Sequence, residues 1–153
     1  IFNFIEWKLQ YFYHSAAALS TEAILAILTC ILVTFALLHL VKNDRASAHV
    51  ILFMLFAIQV INAFYHIFFS FYFSDFSPGA ITAALLYLPV NFLIAQAAFR
   101  EGYLKSYFEY GCIAFLGTTT FILFEIIGPL IIALAIIFSL MYYFYFNKRL
   151  SNN

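Results

Sequence analysis

Between Ala46 and Ser74 the chain runs for 29 residues without an Asp, Glu, Lys or Arg. In lipid, such a segment can satisfy its backbone hydrogen bonds by itself only as a helix. The rest of the sequence repeats the pattern. Ala23 to Val41 and Ala80 to Phe99 carry no charge, and Gly111 to Asn147 carries Glu125 alone. Hydrophobic residues make up 66% of the chain and charged ones 9%, against roughly 25% charged in soluble domains. The expected fold class is therefore all-α, a polytopic transmembrane helix bundle, with residues 1–153 forming one integral-membrane domain because no polar linker divides them. Seven basic and seven acidic residues cancel. There is no basic stripe, so nucleic acid is set aside as a partner and the lipid bilayer becomes the first one.

The predicted spans are 22–42, 47–73 and 79–99, then 111–127 and 129–147. Ser20-Thr21-Glu22 reads as a helix start, and Lys42-Asn43-Asp44-Arg45 closes the first span. Ser74 to Gly79 reads as a turn, with Pro78 suited to the first turn of the next helix. Pro89 is predicted to kink the third span and free a carbonyl near Leu85. Arg100 to Tyr110 reads as an amphipathic connector. As one helix, 111–147 would be about 55 Å long, against a hydrocarbon core of about 30 Å. A hairpin at Gly128-Pro129 resolves the mismatch, giving five spans in place of four.

Charge placement favours five. Only then do Lys42/Arg45, Arg100/Lys105 and Lys148/Arg149 share one side, which the positive-inside rule makes cytoplasmic, in a bacterial inner membrane. Residues 1–19 contain Glu6, Lys8 and His14 and read as an interfacial helix with Trp7, Tyr11 and Tyr13 at headgroup level, or as the truncated end of a membrane helix. No secretory signal peptide is read at Ile1. Cys30 and Cys112 stand in apolar runs without a CxxC pattern and read as buried small apolar residues.

On the second span, Gln59, Asn62, His66 and Ser70 are spaced to lie in one stripe of a helix. Polar side chains inside a membrane face protein or a water-filled cavity. His66 can ligate metal, carry a proton or bond a neighbouring helix, with Asn62 orienting it. An interhelical hydrogen-bond set is the plainer reading of the same stripe. Glu125 is the one acid within an apolar run, and its role depends on whether the last helix is continuous or broken. Asn91, one turn from Tyr87, is expected to satisfy carbonyls freed by Pro89. His39 and His49, near helix ends, and His14 read as surface or headgroup contacts.

Asn62-x-x-x-His66, the aromatic run after it, Ser77-Pro78-Gly79-x-x-Thr82-Ala83, Pro89 and Arg100-Glu101-Gly102 together resemble the HXXEE-domain family of small bacterial integral membrane proteins. That family has no established function. The resemblance implies a helical membrane protein, and the family's polar motifs suggest an intramembrane, metal-dependent enzyme. Its name-giving motif is a His, two residues and two Glu, often followed by Trp. Here Glu6-Trp7 takes the last two places, with Ile5 and Phe2 standing where Glu and His would be.

Three functions compete at this point. The first is a non-catalytic accessory or lipid/ligand-binding subunit, packed against another membrane protein or as a homo-oligomer, for which 21 Phe and 11 Tyr supply broad surfaces. The second is an intramembrane enzyme with His66, Asn62 and Glu125 as catalytic groups and a divalent metal held by His66, Glu6 and Glu125. The third is a proton-coupled or small-solute transporter using His66 and Glu125.

Overall fold

A computed structural model describes residues 21–74 and 79–151. The expected interfacial segment, with Glu6 and His14, lies outside the described residues. Five long helices follow one another: α1, Thr21–Lys42; α2, Arg45–Tyr72; α3, Ala80–Arg100; α4, Tyr107–Ile127; and α5, Leu130–Ser151. Among the described residues there is no strand. The segments Arg45–Tyr72, Ala80–Arg100, Tyr107–Ile127 and Leu130–Asn147 are each long and apolar enough to cross a membrane, and Ala26–Lys42 is a shorter apolar stretch. The chain is an integral membrane protein built as a helical bundle.

Helix directions follow from the contacts along α2. Arg45, His49 and Phe53 meet Phe146, Tyr142 and Phe138 in turn, so α5 runs antiparallel to α2. Arg45 meets Glu109 and Tyr65 meets Phe121, so α4 runs parallel to α2. The chain therefore reverses between α4 and α5. It does so at Gly128, whose φ of 91° and ψ of −153° only glycine adopts readily. The hairpin expected at Gly128-Pro129 is present, and Glu125 sits one turn before it.

Two turns are capped by side chains. Asp44 Oδ1 accepts from Ser47 N at 2.7 Å, opening α2, and Ser106 Oγ accepts from Glu109 N at 3.1 Å, opening α4. The cap at Ser106 starts α4 at Tyr107, four residues before the predicted 111, so the expected amphipathic connector shrinks to 101–106. Asp44→Ala should cost about 1 kcal/mol. The cost should appear as a lower thermal unfolding midpoint in mild detergent, and an unchanged midpoint would show that the cap does not hold the turn.

Two π-helical segments interrupt the bundle, Phe56–Val60 in α2 and Ala83–Tyr87 in α3, and they touch each other. The second ends two residues before Pro89. Instead of a simple kink, the helix widens by one residue before the proline, with Leu88 N bonded to Ala83 O.

The core is uneven. Ala46 to Val50 and Leu52 to Leu55 are buried, packed against Phe35, Ala98, Ile113 and Tyr143. Beyond that, α2 turns Phe64, Phe68 and Phe71 outward, the last 80% exposed. Cys30 and Cys112 also lie on the outer surface, not buried as their apolar surroundings had suggested. An apolar surface of this kind is stable only in lipid or against another apolar surface.

Candidate functional site

The basic end of the bundle is a closed polar lock. Arg45 donates through its guanidinium to Glu109 Oε1 and, through Nε, to the Tyr103 carbonyl at 2.8 Å. Glu109 Oε2 accepts from Lys105 N at 2.9 Å. His49 is 4% exposed, with Nε2 at 2.8 Å from the Tyr103 carbonyl and Nδ1 at 2.6 Å from the Tyr142 hydroxyl. A carbonyl only accepts, so Nε2 carries the proton, and in the neutral ring Nδ1 accepts from Tyr142. Glu109 Oε1 lies 3.5 Å from His49 Nε2. The Tyr103 hydroxyl donates to Asn43 Oδ1, and the Tyr143 hydroxyl donates to Asp44 Oδ2 at 3.3 Å. These bonds join both basic turns to α5.

Two expectations are corrected here. His49 is no headgroup contact but a buried hub, because it lies a full turn inside a capped helix. Arg45 is the first residue of α2, paired across the bundle, and not a loop charge. His39, expected at the surface, bonds through Nδ1 to Ser47 Oγ at 2.8 Å.

The residues predicted to carry chemistry lie toward the opposite end. Gln59, Asn62, His66 and Ser70 are half-buried while Phe64, Phe68 and Phe71 point outward, so the polar stripe faces protein. The His66 ring lies against the turn before α3, 3.8 Å from where a Gly79 Cβ would stand, and edge-on to Tyr65 with centroids 6.1 Å apart. Tyr65 packs on Phe121 with ring centroids 6.0 Å apart, and Glu125 follows one turn further along α4. Tyr65, which the sequence reading passed over, thus links His66 to the turn of α4 that precedes Glu125. Among the described residues, no three His, Cys, Asp or Glu gather where a metal ion could be held. Glu6, the third metal candidate, lies outside the described residues.

Between these ends, Gln59 and Asn91 meet across the two π segments. Asn91 is 7% exposed, and its Nδ2 donates to Gln59 Oε1 at 2.9 Å and to the Tyr87 carbonyl at 2.8 Å. The expected carbonyl bond is made, although to Tyr87 and not to Leu85. Asn91 borders a crevice of about 450 Å³ between α2, α3 and α4, whose walls include Leu52, Phe56, Val60, Phe92 and Tyr110. A smaller one, about 160 Å³, lies between α2, α4 and α5 beside His49, Glu109 and Tyr142.

Residues 2–94 match the family described as proteins of unknown function with an HXXEE motif. No curated protein matches the chain. No solved structure matches it either. The matched region runs from the degenerate Phe2-x-x-Ile5-Glu6 segment through α2 to Ile94 in α3 and covers more than half of the sequence, so this chain belongs to the HXXEE family.

Proposed function

We propose that the protein is a non-catalytic membrane subunit that holds a lipid or other apolar ligand between α2, α3 and α4 and packs its aromatic outer faces against another membrane protein or a second copy. The observation that carries this is the crevice of about 450 Å³ in the side of the bundle. That size falls among ordinary ligand pockets, roughly 300–1,000 Å³, which are mostly apolar with a few placed polar groups. Asn91 is such a group here. The aromatic faces supply contact area beyond the crevice. The basic turns, gathered at one end by the antiparallel helices, favour that end being cytoplasmic in a bacterial inner membrane.

An intramembrane enzyme is the second reading, favoured by His66 lying against Tyr65, which packs on Phe121 one turn before Glu125, with Asn62 one turn away. It would require Glu6 or another group to complete the site.

The test is one mild-detergent preparation of wild type, His66→Ala and Ala114→Phe, analysed for bound lipid and for metal. Ala114 lines the crevice, and phenylalanine would fill it. The expected result is lipid in fixed ratio in wild type and His66→Ala, and its loss from Ala114→Phe. Stoichiometric metal that disappears in His66→Ala would replace this reading with the enzyme.

A further inference from the structure

The smaller crevice, between α2, α4 and α5, is graded in polarity. Each helix gives it a polar residue toward the basic end and an apolar one further from that end. α2 supplies His49 and then Phe53, α4 supplies Glu109 and then Leu116, and α5 supplies Tyr142 and then Phe138. Direct contacts fix the levels, since His49 meets Tyr142 and Phe53 meets Phe138, with ring centroids 6.0 and 5.9 Å apart. Cys112 and Leu116, on the α4 wall, are exposed on the outer surface, so the crevice opens to lipid.

The polar level can accept hydrogen bonds but has few to give. The Tyr142 O–H is spent on His49 Nδ1, the His49 Nε2–H on the Tyr103 carbonyl, and the Ser139 O–H on the Ala135 carbonyl at 2.7 Å. The Cys112 thiol is a weak donor. Glu109, ionised against Arg45, only accepts. A carboxylate has about four lone-pair positions, and here Arg45 and Lys105 N take two of them. Its side chain is 24% exposed and borders the crevice, so accepting capacity is left there. An anionic head would find no strong donor and would meet a carboxylate. An ammonium head would add a second cation to a carboxylate that Arg45 already balances.

The volume sets the size of the guest. About 160 Å³ is available, and a cavity of about 150 Å³ lined by Leu, Ile and Phe holds benzene. Phe53 and Phe138 offer edges and faces against which a ring can pack. We infer that this crevice binds an uncharged ring bearing a hydroxyl, a phenol dissolved in the membrane, whose O–H donates to Glu109 while its ring lies against Phe53 and Phe138. The site is separate from the larger crevice and does not depend on what that one holds.

The experiment uses the full chain in phosphatidylcholine nanodiscs. Equilibrium dialysis measures uptake of para-cresol, para-methylanisole and para-toluate, less the uptake of empty nanodiscs. Wild type is expected to take up para-cresol saturably, about tenfold more tightly than the methyl ether that lacks the donor, and to take up no toluate. Cys112→Trp, which fills the crevice, should abolish the uptake, and Ala114→Phe, in the larger crevice, should leave it intact. Glu109→Leu should bring the cresol-to-ether ratio near one. Equal binding of cresol and ether by wild type, or binding of toluate, overturns the inference about the head. No saturable uptake, or uptake lost in Ala114→Phe and kept in Cys112→Trp, overturns the site. The wild-type comparison decides the matter even if Glu109→Leu fails to fold.

Discussion

Gly117→Ala should lower the stability of the bundle by about 3 kcal/mol or more, the upper end of the overpacking range. A Cβ at Gly117 would stand 2.5 Å from Phe56 Cβ, 3.0 Å from the Phe53 carbonyl oxygen and 3.1 Å from Ala57 N. Two of these three atoms are backbone and the third is fixed directly to it, so no rotamer change can clear the clash. The contact falls where α4 crosses the start of the first π segment, so the helices themselves must part. Close approach through a small residue is how membrane helices gain packing energy when no hydrophobic force drives them together. Thermal unfolding of the purified variant in mild detergent measures the loss. By contrast, Gly111→Ala, on the same helix with nothing within 4 Å of its added Cβ, should be close to neutral. Equal midpoints for the two variants would sink the argument.

The Arg45–Glu109 pair should behave non-additively. Glu109→Leu strands the Arg45 guanidinium and also removes the acceptor of Lys105 N. Arg45→Met strands the carboxylate beside His49. Each single change should cost about 2–3 kcal/mol, somewhat below the 3–5 kcal/mol typical of fully buried pairs, because the two side chains are 22% and 24% exposed. The double variant should be less damaging than the sum, since no charge is left unpaired. A double-mutant cycle on unfolding midpoints checks this, and simple additivity would mean that the two residues act independently.

The parts of this fold that were legible in the sequence are those set by local chemistry. Uninterrupted apolar runs marked α1, α2 and α3, and Gly128-Pro129 marked the reversal, because a left-handed glycine and a proline together end a helix wherever they fall. The lock at the basic end was not legible as a whole, because Arg45 and Glu109 are 64 residues apart in sequence. Half of it was nevertheless signalled. Ser106-x-x-Glu109 has the spacing of a helix-capping pair, and reading it would have started α4 at Tyr107 and brought Glu109 inside the bundle. His49 was misjudged because nearness to a helix end was taken for nearness to water, whereas both adjacent turns fold over it. Gly117 carried no local signal, since a glycine's need for closeness is known only from the helix that crosses it. The stripe of Asn62 and His66 was placed on the correct face. Its neighbourhood with α4, where Tyr65 meets Phe121, depended on the parallel course of α2 and α4, which no single segment encodes.

The π segment in α2 acts as a phase setting between two halves of one helix. Above it, nearly every residue from Ala46 to Leu55 is enclosed by protein. Below it, one side meets lipid and the other meets α3 and α4. A single extra residue turns everything after it by about 100° on the helical wheel. With that residue taken out, Phe64, Phe68 and Phe71 would swing away from their outward stations, and Asn62, His66 and Ser70 would no longer keep to the protein side. The orientation of the polar stripe is therefore a matter of length as much as of composition. It depends on the backbone of a five-residue segment, Phe56–Val60, whatever its side chains contribute besides.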